Sequence, residues 1–180
     1  MHKNTFAAVL VLLLATIANG SQSKDWVRYE SVEGRFAVRM PDQPEVDTQE
    51  GKTPTGATLI QHQAKSKDSD SIYSLGYFDL EANSTYSLDK GRDGMVTAIK
   101  GTLISEQAIN LGGNGGREFT VSTKSGDYDL LIRARLYEVS GRVYVLQHAF
   151  LKVADSLTMS EKTTKFFDSF KVTVGNTSHS

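Results

Sequence analysis

The chain has 180 residues, and its 20 basic and 21 acidic side chains give a formal net charge of −1 at pH 7. A balance this close to neutral lacks the basic excess that general nucleic-acid binding requires, so we expect no nucleic-acid partner. The sequence contains no cysteine, which excludes disulfides, thiolate metal sites and cysteine nucleophiles.

The first 20 residues have the pattern of a secretory signal peptide. A short positive start is followed by an uncharged run from Phe6 to Ile17, which is too short for a transmembrane helix. Small residues at Ala18 and Gly20 predict cleavage between Gly20 and Ser21. We therefore expect an exported protein, periplasmic or extracellular, with no membrane span after cleavage. The alternative is an N-terminal anchor that is not cleaved.

The mature chain, residues 21–174, is predicted to form a single domain, with a flexible tail at 175–180. Strands are predicted where apolar and polar residues alternate, and Phe36, Val38 and Met40 form the clearest case. Residues 45–56 favour a loop or a ragged edge strand. Further strands are predicted at 57–64 and 72–78, with Tyr73, Leu75 and Tyr77 as the buried set of the latter.

Four more predicted strands cover residues 103–111, 118–124, 128–139 and 142–151, and the connections between the last three are short enough for hairpins. One helix is predicted from an N-cap at Ser87 to Gly101. A second helix is predicted after a capping box formed by Thr158 and Glu161. This order indicates an α+β fold, a mostly antiparallel β-sheet flanked by two or more α-helices.

The glycine-rich run Gly112–Gly116 is the most conspicuous motif. A phosphate-binding loop requires such glycines to open a helix, whereas here a strand pattern follows. The run is therefore interpreted as a tight turn, and we expect no cofactor.

Candidate ligand-binding residues are limited to histidines and arginines on predicted strands. His62 and His148 each lie within a strand, and no histidine spacing typical of zinc is present, so no metal site is predicted. Arg133 and Arg135 share one strand face, and Arg117 lies on a neighbouring strand. Together these arginines could form an anion-binding patch, although a solvated face balanced by acidic residues is the favoured interpretation. The catalytic residues are unknown.

Four segments resemble the PsbP/Mog1-like fold family, whose exported bacterial members are largely uncharacterised. They are Glu33–Pro41, Leu103–Gly112 together with Gly116–Glu118, Arg142–Leu146 and Lys165–Phe170. The resemblance spans about residues 26–173 and implies an antiparallel sheet sandwiched between helices. Characterised relatives of this fold act as non-catalytic binding or assembly factors, so the resemblance implies a binding role without assigning any residue to it.

These observations favour a non-enzymatic exported module that binds an unknown protein or small ligand. One alternative is a hydrolase-type enzyme with a dispersed site, using His62 or His148 with a nearby carboxylate. The other alternative is a structural or stress protein of the cell envelope. A monomer or a weak homodimer is expected, because exposed edge strands can pair between copies.

Overall fold

The computed structural model describes residues 25–52 and 58–173. The predicted signal peptide at 1–20, its cleavage site between Gly20 and Ser21 and the predicted tail at 175–180 lie outside these residues.

Seven antiparallel strands form the main sheet, in the spatial order β3-β4-β5-β9-β8-β7-β6. In chain order they are β3 (Glu45–Lys52), β4 (Thr58–Lys67), β5 (Ser71–Asp79), β6 (Thr102–Leu111), β7 (Asn114–Ser125), β8 (Tyr128–Val139) and β9 (Arg142–Leu151). The central strands β5 and β9 are buried on both faces, whereas only the Tyr73 set was predicted to be buried in β5. Burial of Tyr73, Leu75 and Tyr77 is confirmed, and the residues between them are buried as well because β5 is covered on both faces.

A second, three-stranded sheet is built from β1 (Val27–Ser31), β2 (Phe36–Met40) and the short β10 (Lys171–Val172). The predicted alternation in β2 is confirmed: Phe36, Val38 and Met40 are all buried, and Arg39 is exposed. Burial extends to Ala37, because β2 is the central strand and pairs on both sides.

Two α-helices lie in the part of the chain that the structure describes. Helix α1 (Leu88–Ala98) begins at the predicted N-cap Ser87, whose hydroxyl accepts a hydrogen bond from the Lys90 N–H. Helix α2 (Leu157–Asp168) is capped by Ser156, which accepts from the Met159 N–H, so the predicted capping box at Thr158 was wrong. The side chain at position 156 precedes the first helical turn, where the unpaired N–H groups require an acceptor.

Short hairpins connect the central strands, as their length predicted. Ser140 and Gly141 both have positive φ angles, 51° and 75°, which a two-residue turn between right-twisted strands favours. The glycine-rich run is also a turn, but only Gly112 and Gly113 form it, and pairing resumes at Asn114. The turn interpretation is therefore confirmed, with narrower bounds.

Alternate residues of β9 pack into different clusters because successive side chains point to opposite faces of a strand. Val143 and Val145 pack in a cluster with Met95 of α1. Tyr144 and Leu146 pack in a cluster with Phe166 and Phe167 of α2, to which the small sheet also contributes.

Candidate functional site

The imidazole of His62, on β4, is held on three sides. Its ring stacks on that of Tyr77 on β5, with a centroid separation of 4.7 Å and an interplanar angle of 9°. Nδ1 lies 3.3 Å from the Thr48 hydroxyl, and Nε2 lies 3.7 Å from a Glu33 carboxylate oxygen. The side chain is still 24% exposed, so the ring has a fixed orientation and an open edge.

A buried guanidinium lies beside this histidine. Nε and Nη2 of Arg142 donate to the two carboxylate oxygens of Asp79 at 2.6 and 2.7 Å, and the guanidinium lies 4.7 Å from the centroid of the Tyr77 ring. Nη1 donates to the Glu33 backbone carbonyl. The hydrogen bonds from Arg142 lower the pKa of Asp79, and the same pairing raises the pKa of Arg142. Such bidentate pairs are rigid as well as strong, so the position of Asp79 is fixed.

A cavity of about 270 Å³ opens next to His62 and Asp79, where β4 and β5 separate. The β4–β5 ladder ends at the pair His62–Tyr77, although β4 continues to Thr58 alongside β3 and β5 continues to Asp79 alongside β9. We call the two diverging segments, residues 58–61 and 78–81, the fork. The cavity is lined by Thr58, Leu59, Ile60, His62, Phe78, Asp79, Leu80 and Glu81.

His148 occupies the opposite kind of environment, fully buried beneath α2. Its ring stacks on Tyr73 at 4.4 Å, and Nδ1 lies 2.8 Å from the Thr163 hydroxyl. That hydroxyl donates to the Met159 carbonyl, so it accepts from His148 and the proton resides on Nδ1. Nε2 has no hydrogen-bond partner among the described residues. Burial lowers the pKa of His148 to about 3.

The structure does not bring the two histidines together. Both lie on the same face of the main sheet, but their partners Tyr77 and Tyr73 are four residues apart along β5, about 13 Å. A cleft that contains both histidines would favour the hydrolase alternative, but the described residues do not form one.

The three candidate arginines are also divided between two faces. Arg133 and Arg135 share the face of α2, where they pair with Asp155 and with Glu118 and Asp168. Arg117 projects from β7 to the other face and pairs with Asp89 of α1. Every one of these guanidinium groups faces a carboxylate, so the charge available to an external anion is reduced.

The sequence did not identify Asp79 and Arg142 as members of the site. They lie 63 residues apart in the chain and meet because the β5–β9 register places them directly opposite each other. The available signal was weak: Arg142 directly follows the Ser140–Gly141 turn, which fixes its place as the first residue of β9.

The described residues offer neither a metal-binding cluster nor a membrane-spanning helix. Residues 25–52 and 58–173 contain no group of three or more His, Cys, Asp or Glu side chains arranged to hold a metal ion. Within the same ranges, no helix is long and apolar enough to cross a membrane.

Comparison with known proteins identifies the fold. No protein-family model matches the chain, and no curated protein matches it. The solution structure of the cyanobacterial PsbP of Synechocystis is similar, with a TM-score of 0.58 and 15% identity over 88% of this chain and 98% of that one. A Pseudomonas aeruginosa protein of unknown function matches with a TM-score of 0.43 and 13% identity, over 78% of this chain and 91% of that one. The chain thus has a PsbP-like α+β fold, as the resemblance predicted.

Proposed function

We propose that this protein is a non-enzymatic exported binding or assembly module, and that the cavity in the fork is its ligand site. The observation that carries the proposal is the composition of the cavity. Leu59, Ile60, Phe78 and Leu80 supply apolar surface, while His62 and Asp79 supply oriented polar groups. An apolar cavity with a few fixed polar groups is the usual form of a binding site.

The chemistry of the fixed groups supports binding over catalysis. Asp79 is engaged by Arg142 through both carboxylate oxygens, which stabilises its charged form and makes it a poor proton acceptor. Nε2 of His62 lies 3.7 Å from the Glu33 carboxylate, beyond hydrogen-bond distance, so this nitrogen is available for a hydrogen bond to a ligand. The predicted signal peptide and the PsbP-like fold support the exported, non-catalytic character.

The predicted α/β/α layering is part of the same proposal. It is supported by the alternation along β9, where Val143 and Val145 contact the cluster of α1 while Tyr144 and Leu146 contact the cluster of α2. In this arrangement the helices cover the centre of the sheet on both faces. The fork at the β4–β5 boundary borders the cluster of α1, in which Leu59, Phe78 and Leu80 also pack.

The test is a ligand screen against paired variants. A library of small fragments is titrated into the ¹⁵N-labelled protein, and backbone amide shifts and melting temperature are recorded. We expect hits to shift the amides of residues 58–62 and 78–81 and to raise the melting temperature. Ile60→Arg should abolish these shifts, whereas the control Val46→Arg, at an exposed position outside the cavity, should preserve them. A screen without hits in the fork would contradict the proposal.

One observation favours a second candidate, the hydrolase. A hydroxyl, an imidazole and a carboxylate occur in the order Thr48, His62, Glu33. The distances of 3.3 and 3.7 Å are longer than the 2.6–3.2 Å of an activated nucleophile, and the Glu33 side chain is 74% exposed. Ester hydrolysis that is lost in both Thr48→Val and His62→Gln would establish this candidate. Activity that survives either substitution would exclude it.

A further inference from the structure

The fork interrupts an otherwise continuous sheet. The pairing between β4 and β5 runs from Lys67 opposite Ile72 to His62 opposite Tyr77. It includes no pair between the described segments 58–61 and 78–81. The outer neighbours remain paired at the same level, Ile60 with Glu50 on β3 and Asp79 with Arg142 on β9. The sheet therefore contains two strand edges that face each other across a cavity.

The direction of the backbone groups at these edges follows from one hydrogen bond. The Leu80 N–H donates to the Gly141 carbonyl at 2.8 Å, so the backbone groups of Leu80 point toward β9. Successive residues of a strand direct their N–H and C=O groups to alternate sides, so those of Asp79 point toward β4. By the same alternation the backbone groups of Tyr77 also point toward β4, so His62 and Tyr77 form a hydrogen-bonded pair. The next hydrogen-bonded pair along these strands would be Ile60 and Asp79. The backbone groups of Ile60 and Asp79 thus both point into the fork.

The side chains around the fork indicate what kind of segment fits there. Leu59, Phe78 and Leu80 offer apolar contacts, and the exposed Glu81 carries negative charge in the lining. A second exposed carboxylate, that of Glu33, lies 3.7 Å from His62, which also lines the cavity. A complementary segment therefore alternates apolar residues with polar ones and carries basic residues at its ends.

We propose that the fork binds an extended segment of a partner polypeptide, which adds as a strand between residues 58–61 and 78–81. Main-chain hydrogen bonds to Ile60 and Asp79 would supply recognition, and the apolar lining would select the side chains. The proposal rests on the proposed function, since it assigns a ligand class to the same cavity. A volume of about 270 Å³ accommodates only a few residues, so the segment is short.

The test uses one synthetic peptide in two forms. The probe is an acetylated and amidated pentapeptide, Lys-Val-Thr-Val-Lys, and the control is the same peptide methylated on the amide nitrogens of both valines. Methylation retains the side chains and charges but removes two main-chain donors. We expect the probe to shift the amide resonances of Ile60 and Asp79 and to slow their hydrogen exchange. The methylated form should bind at least about tenfold more weakly.

The outcomes separate this inference from the proposed function. Equal affinity of the two peptides would overturn strand addition while leaving the cavity as a ligand site. Binding of fragments in the fork without binding of either peptide would likewise overturn strand addition and leave the cavity as a ligand site. The absence of any ligand in the fork would contradict both. Ile60→Arg should remove peptide binding and Val46→Arg should retain it, and loss in both variants would place the peptide elsewhere.

Discussion

Two histidines on one face of the main sheet make the same contact and end in opposite environments. His62 stacks on Tyr77 and His148 stacks on Tyr73, each with an interplanar angle of 9°. His148 is sealed beneath α2, and His62 lies at the fork with an open edge. The sheet therefore supplies the stacking contact in both cases. Whether a helix covers the ring decides whether the imidazole is structural or available to a ligand.

The sealed region is also a polar network. Tyr73, which supports the His148 ring, donates to Asp68 at 3.2 Å, and Asp68 pairs with Lys162 of α2 at 2.9 Å. Arg133 donates to Thr163 from the other side. Burial raises the pKa of Tyr73 well above its usual range, which keeps the phenol protonated as a donor. The network therefore links α2 to the sheet through hydrogen bonds and an ion pair. We expect it to contribute to the free energy of unfolding and not to ligand binding.

We expect the largest difference in the free energy of unfolding between substitutions in the region under α2 and substitutions in the fork. Phe166→Ala removes a fully buried ring that contacts Tyr73 edge-on and should lower the free energy of unfolding by about 3–5 kcal/mol. Ile60→Ala, at a position that is 39% exposed in the fork, should cost only about 1.5 kcal/mol, because the three carbons removed are only partly buried. Urea denaturation followed by circular dichroism measures both. Comparable losses would mean that the fork is packed as tightly as the region under α2.

The next effect concerns acid stability. Unfolded His148 takes up a proton near its usual pKa of 6.5, whereas the folded protein resists protonation until about pH 3. Between these values the unfolded state binds more protons, so stability falls as pH falls. Well below pH 6.5 one such group contributes a slope of about 1.4 kcal/mol per pH unit. The loss from pH 6.5 to 4.5 is about 2.3 kcal/mol, because the unfolded imidazole is only half protonated at pH 6.5.

His148→Gln should remove that contribution from the slope, measured by urea denaturation at several pH values. The control Phe150→Leu changes a neighbouring buried side chain without a titrating group, so it should lower stability and retain the slope. An unchanged slope in His148→Gln would show that another group causes the acid sensitivity. The groups that face His148 and affect its pKa are Asp68, Arg133 and Lys162.

Local features of the fold could be predicted from the sequence because local physics determines them. The alternation at Phe36 and the cap at Ser87 depend on side chains a few residues apart, and both are observed. The cap of α2 was misplaced from Ser156 to Thr158 because both residues offer a hydroxyl and the spacing to Glu161 favoured the second. Burial of both faces of β5 depends on how the sheet packs against its neighbouring layers. The pattern of apolar and polar residues within one strand carries no information about that packing.

The candidate site was predictable only in part. His62 was named from its residue type and strand position, but Asp79 and Arg142 were not, because their pairing depends on a long-range register. The fork itself is the point at which two strands stop pairing while each continues beside another neighbour. Since both segments still read as strands, no sequence pattern marks the end of a ladder. Likewise, His62 and His148 have equivalent strand contexts, and α2 distinguishes them only after folding.

Substitution of the histidine at the fork should have the least effect on stability. His62→Leu removes an imidazole that is 24% exposed, and its contact with Thr48 is a surface one. Leucine preserves apolar contact with Tyr77, so the free energy of unfolding should change by less than about 1 kcal/mol. His148→Leu, measured in parallel by urea denaturation at pH 7, should cost more because His148 is fully buried, and leucine reproduces neither its stacking on Tyr73 nor its hydrogen bond to Thr163. If His62→Leu instead cost as much as His148→Leu, the imidazole at the fork would be a structural element, and its role as a polar contact for a ligand would lose its basis.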